Sequence, residues 1–140
     1  MKTLLFICCC LPLKHLHLNS AFGYRVHPIT KQYKFHNGID LRACHDTVYA
    51  VFDGAASVHF DQFLGVYITV SDGAFSCYYG HLSYPLTSAG PVISGQAIAI
   101  TGATGRVTAE HLHFSIKFKG HDLDPLKFLY QLTIKSNNHE

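Results

Sequence analysis

The sequence predicts an all-β fold of compact, curled antiparallel sheets. Short apolar runs of strand length recur along the chain, glycine or Asp-Gly turns separate them, and no stretch before Asp124 repeats its apolar residues with a helical period. A length of 140 residues with 48% hydrophobic content suits one core and is too small for two comfortable ones.

The first stretch, MKTLLFICCCLPL, sets one lysine before an apolar run from Leu4 to Leu13 that Pro12 interrupts. That run is too short to span a bilayer and matches the apolar part of a secretory signal, so export to the periplasm or cell envelope is expected. Lys14 and His15 follow without an A-x-A cleavage triplet, and Ile7 precedes Cys8 where lipid attachment favours a small residue. A lipid anchor is therefore the weaker expectation. The chain divides into a leader or signal at 1–13, a domain at 14–130 and a polar tail at 131–140.

In KHLHL, Leu16 and Leu18 alternate with His15 and His17, as in a surface strand. Ile39 and Leu41 face a core while Asp40 points the other way. DTVYAVFDGAASVHF reads as strand, Asp-Gly turn, strand, and GVYITVSDGAFSCYYGHL repeats that grammar at Asp72 and Gly73. GPVISGQAIAITG adds two short strands around Ser94 and Gly95, and HLHFSIKF alternates over its whole length. PLKFLYQL after Asp124 suits a helical turn or two, with Pro125 at its start. Cys44 and Cys77 fit no C-x-x-C spacing and are expected as two buried thiols, which makes redox chemistry a poor reading.

The net charge of +2 arises from 11 Lys and Arg residues that form no basic run, which argues against a nucleic-acid partner. Histidine, at 11 residues, is the abnormal count, and local context must sort them. In HLHFSIKF, Leu112, Phe114, Ile116 and Phe118 share one face, so His111, His113, Ser115 and Lys117 share the other. Two imidazoles at i and i+2 then project side by side from one rigid strand. HNGID supplies the complement, because His36 and Asp40 bracket Gly38, where the chain can turn sharply. Two histidines and one aspartate suit zinc with a position left for water, the arrangement of a catalytic site. Iron is the rival on ligand type. In YYGHLS, His81 is expected at a strand end, where a side chain can enter a cleft.

These segments together resemble the lysostaphin-type zinc endopeptidases, also called the M23 or LytM-domain family, over roughly Leu16 to Leu129. The resemblance rests on SAFGYRVHP, HNGIDL, VYAVFDG, YYGHLS, GPVISGQAIAITGATG, HLHF and the dipeptide Asp124-Pro125, in that order. It implies His36, Asp40 and His113 as zinc ligands and His81 and His111 as non-ligand catalytic histidines. It also implies the curled β fold of that family, the duplicated hybrid motif, with a groove for an extended peptide. The implied activity is cleavage of cell-wall peptidoglycan, in cross-bridges or between stem peptides. Asp46 and Ala56 depart from the glycine and valine common there, and both touch turn and core fitting only.

On this reading His111, beside the His113 ligand, is the general base, and His81 stabilises the oxyanion or assists the leaving amine. Sequence alone leaves those two roles interchangeable. GATG at Gly102 to Gly105 lacks the G-K-[ST] of a phosphate loop, and no G-x-S-x-G marks a serine nucleophile. The alternative is a non-hydrolytic, zinc-stabilised module that binds peptidoglycan or a partner. Peptidoglycan peptide is the expected substrate and a monomer the expected state, with any activating or localising envelope partner open.

Overall fold

The structure, a computed structural model, describes residues 11–137, and side chains through residue 134. Most of the segment 1–13 expected as a leader, with Cys8, Cys9 and Cys10, lies outside the described residues. Within them, Leu13 is buried in the core and the Pro12 carbonyl accepts the Tyr49 N–H at 2.9 Å. No helix among the described residues is long and apolar enough to cross a membrane.

The chain first builds β1 (Leu18–Ser20), β2 (Gly23–Val26), β3 (Tyr33–His36), β4 (Ile39–Arg42), β5 (Thr47–Tyr49) and β6 (Gly54–Asp61). It continues with β7 (Gly65–Asp72), β8 (Phe75–Pro85), β9 (Gly90–Val92), β10 (Ala97–Thr101), β11 (His111–Phe118) and β12 (His121–Leu123). Helix α1 (Pro125–Asn137) closes it. Ten strands form one antiparallel sheet in the order β1-β4-β11-β8-β7-β6-β9, from which β10, β5 and β12 branch, and β2 and β3 form a separate hairpin.

The expectation of an all-β fold of compact curled sheets is corrected on two counts. The main sheet is an open path whose ends, β1 and β9, do not pair, and the chain closes with a helix of 13 residues. Length explains the first difference. At 11 residues, β8 is long enough to pair with β11 along its first half, with β7 alongside, and with β10 at its far end. The helix exceeds the expected turn or two because Asp124 caps it, its carboxylate accepting the N–H groups of Leu126 and Lys127 at 3.0 and 3.4 Å. Phe128 and Leu129 then pack on the core.

Strand partners differ in two further places. β5 and β6 do not form a hairpin across Asp53 and Gly54; β5 pairs with β10, and β6 with β7 and β9. KHLHL is irregular until Leu18. The β7–β8 hairpin does form, turning through Gly73 at φ 56°. Ile39, Leu41, Ile68, Tyr79, Leu112, Phe114 and Ile116 are fully buried and make the core under the centre of the sheet. Each such side chain contributes about 1.5–3 kcal/mol by leaving water, which fixes the register of β4, β11 and β8. Cys77 is a buried free thiol, with burial pushing its pKa up, whereas Cys44 is exposed and not buried as expected.

Candidate metal centre and groove

Strand β11 lies between β4 and β8. Because Leu112, Phe114 and Ile116 point into the core, His111, His113 and Ser115 must emerge on the opposite face. The register sets His113 directly opposite Asp40 on β4 and Gly80 on β8. His36, the last residue of β3, approaches from the hairpin.

Gly38 joins the two contributions, though not by a left-handed turn. A Cβ there would meet the Phe114 carbonyl at 2.5 Å and His113 Cε1 at 3.0 Å. Only a glycine lets the link between His36 and Asp40 pass this close over β11.

Three donor atoms converge as a result. His113 Nδ1 is 3.1 Å from Asp40 Oδ1, His36 Nε2 is 3.3 Å from the same oxygen, and the two nitrogens are 3.4 Å apart. His36 Nδ1 donates to the Ala21 carbonyl at 3.0 Å, which leaves Nε2 as the free lone pair. Burial pushes the Asp40 carboxyl up, but the adjoining His113 and His36 rings outweigh it and hold the group well below the usual carboxylate range. An ionised carboxylate and two imidazole nitrogens at these separations can coordinate a metal ion.

His81 and His111 flank this cluster. Their rings are 4.8 Å apart, and His111 Nε2 is 3.5 Å from Asp40 Oδ1. Each donates Nδ1–H to a backbone carbonyl at 2.8 Å, His81 to Thr104 and His111 to Ala109, so in each neutral ring Nε2 is the acceptor. Burial draws the His81 pKa down to about 4, against the Thr104 carbonyl, which favours the charged ring. His81 therefore stands neutral at physiological pH.

His81 occupies a bulge inside β8, not the strand end expected. The register slips between Val66 and Ile68, and His81 adopts φ 60° with its N–H on the Leu64 carbonyl at 2.7 Å. A bulge re-aims one side chain without ending the strand, and here it turns the imidazole into the cleft.

The five histidine and aspartate positions singled out in the sequence thus meet in one groove of about 480 Å³. Sequence reasoning missed Thr104 and Arg25. Thr104 Oγ1 donates to the Leu82 carbonyl at 2.6 Å and accepts the Val66 N–H at 3.0 Å, which pins the GATG turn against the bulge. Arg25 extends from β2 to within 3.9 Å of Asp40 Oδ2. The alternation of GYRV offered a signal for Arg25; nothing in the sequence marks a carbonyl such as that of Ala109 as an imidazole partner. Tyr78 lines the groove, whereas Tyr79 is buried and its hydroxyl accepts the Val51 N–H at 3.1 Å.

The sequence profile of Peptidase family M23 matches residues 34–125, which contain the convergent donors and both flanking histidines. The chain belongs to the M23 family. It is 36% identical over 121 residues to the DD-carboxypeptidase/endopeptidase Mpg of Neisseria meningitidis serogroup B, covering 82% of this chain and 27% of that protein. It is 36% identical over 107 residues to the peptidoglycan DD-endopeptidase ShyA of Vibrio cholerae, covering 74% of this chain and 25% of that protein. A crystallised zinc-containing peptidase from Vibrio cholerae superposes with a TM-score of 0.74 at 33% identity, over 81% of this chain and 37% of that one. This M23 chain spans about a quarter of the length of these curated relatives.

Proposed function

We propose that this chain is a zinc endopeptidase domain that hydrolyses peptide bonds of bacterial peptidoglycan in the cell envelope. The observation that carries the reading is the approach of His36 Nε2, Asp40 Oδ1 and His113 Nδ1 to within 3.1–3.4 Å of one another beside two histidines that are not part of the cluster. Tetrahedral zinc with bonds of 2.0–2.2 Å holds neighbouring donors roughly 3.3–3.5 Å apart, so these residues fit zinc with shifts of a few tenths of an ångström. Bound zinc supplies Lewis acidity, lowering the pKa of a water and polarising a carbonyl.

The chain's own residues supply the rest. His111 Nε2, a lone-pair acceptor held by the Ala109 carbonyl, takes the proton of the attacking water. The water oxygen adds to the scissile carbonyl carbon, the C–N bond breaks, and the leaving amine takes one proton, so a single water is consumed. His81, its ring 4.8 Å from that of His111, receives the proton that His111 took up and passes it to the amine, so both rings end neutral. Its depressed pKa suits brief carriage of a proton better than standing as a permanent donor to an oxyanion. Tyr78, Ser115 and Lys117 from the sheet, Arg25 and Lys34 from the hairpin, and Arg106 all line this groove, whose size suits an extended peptide.

Export of the domain follows from such a substrate, and the apolar leader supports it. The test is incubation of the zinc-loaded protein with a purified cross-linked stem-peptide dimer, followed by mass spectrometry. Two fragments whose masses sum to the dimer plus one water support the reading. An intact dimer, together with binding and one zinc per chain, replaces it with a non-hydrolytic peptidoglycan-binding module.

A further inference from the structure

The groove concentrates charge. Arg25, Lys34, Arg106 and Lys117 line it against one carboxylate, Asp40, a surplus of three where the whole chain carries +2. Lys117 is partly engaged by Asp122 at 3.9 Å. Arg25 and Lys34 are partners in the β2–β3 register and both line the groove, with Tyr24, Val26, Tyr33 and Phe35 at the alternate positions. The field they create is felt at His27, whose pKa is lowered first by burial and then by Arg25, Lys34 and Arg106.

Arg25 is the cation nearest the reacting centre. Its side chain is 22% exposed, its Nε is buried without a hydrogen-bond partner, its Nη1 reaches the Val26 carbonyl only at 3.5 Å, and its Nη2 lies 3.9 Å from Asp40. A guanidinium offers five donors in a rigid fork that matches a carboxylate. The Asp40 contact is too long to use that fork, and a ligand carboxylate would complete it.

We propose that the groove selects an anionic peptide and that Arg25 binds a carboxylate of that peptide beside the scissile bond, with Lys34 and Arg106 adding attraction at longer range. This specificity rests on the peptidase reading above and narrows it: peptides bearing free carboxylates are substrates, and neutral oligoglycine is a poor one.

The test compares two stem peptides that differ only in one carboxylate replaced by carboxamide, each also made as an analogue with a reduced, uncleavable scissile amide. Affinities of the zinc-loaded protein for the analogues are measured by fluorescence anisotropy, alongside zinc stoichiometry and hydrolysis of the parent peptides. The wild type is expected to bind the carboxylate form on the order of 10–100-fold more tightly, a ratio that falls with added salt. Arg25→Gln cuts the ratio to the few-fold preference that Lys34 and Arg106 sustain, while leaving zinc content and carboxamide affinity unchanged. Arg25→Lys, which keeps the charge and loses the fork, falls between. Equal affinities in the wild type overturn the proposal. So does an Arg25→Gln protein that weakens both peptides equally or loses zinc, since Arg25 then acts by holding Asp40. Discrimination between analogues without cleavage of either parent peptide supports the carboxylate site and overturns only the peptidase reading.

Discussion

His113 and Asp40 face each other across the β4–β11 ladder, with Nδ1 and Oδ1 3.1 Å apart. A register fixed by buried Leu41, Leu112 and Phe114 brings them together, since a slip by one residue would turn the imidazole into the core. Removing either ligand is predicted to remove the metal. For His113→Ala and Asp40→Ala, zinc affinity falls by more than the roughly 10–100-fold that follows loss of an outer partner. The thermal stabilisation by added zinc disappears with it. Competitive titration with a chromogenic chelator and melting curves with and without zinc check this.

His81→Ala separates binding from turnover. The ring lies outside the donor cluster, so zinc binds with near wild-type affinity while hydrolysis drops about 10²–10⁴-fold, the span expected for loss of a proton-transfer group. Full turnover in this variant would remove His81 from the mechanism.

Stability should depend on pH through the same residue. The folded pKa of His81, about 4, lies below its ordinary value of 6.5, so between those values the unfolded chain binds the extra proton. Its neutral burial therefore opposes folding progressively as pH falls from 6.5 towards 4, and the effect is absent above that window. Urea unfolding of the chelated protein at several pH values should show stability rising with pH there. Asn tolerates left-handed backbone such as the φ of 60° at this position, so His81→Asn keeps the bulge while flattening the slope.

Thr104 supports His81 from outside the reacting groups. Thr104→Val leaves the Val66 N–H and the Leu82 carbonyl without their hydroxyl partner, at about 1–3 kcal/mol for each polar group left unsatisfied. Turnover is predicted to fall with zinc affinity intact, and Thr104→Ser to restore both stability and turnover. Denaturation curves paired with rates for the two variants make the comparison.

Gly38→Ala tests the close approach over β11. The added Cβ would press on the Phe114 carbonyl and Ser115 Cβ at 2.5 and 2.9 Å, so either β3 or β11 must move. A loss of about 1–3 kcal/mol, typical of overpacking, is expected together with weaker zinc binding, because His113 is part of the obstruction.

The donors were legible in the sequence because a strand alternates with period two. HLHFSIKF announces its own two faces, and Ile39 and Leu41 orient Asp40. What stayed hidden depends on contacts remote in sequence. β5 and β6 read as a hairpin across Asp53-Gly54, yet their partners are β10, β7 and β9, which local pattern does not encode. The His81 bulge arises from the Leu64 carbonyl and the Thr104 turn, and no alternation reports either. Strand shortness suggests curled sheets, whereas the 11 residues of β8, the open path of the sheet and the capped helix α1 give a different architecture.

The most direct measurement is a zinc titration into the chelated, folded protein while new amino termini released from purified peptidoglycan are counted by mass spectrometry. Release is predicted to rise in proportion to added zinc and to saturate at one ion per chain. Release that persists under chelation, or no release with one zinc bound, would contradict it.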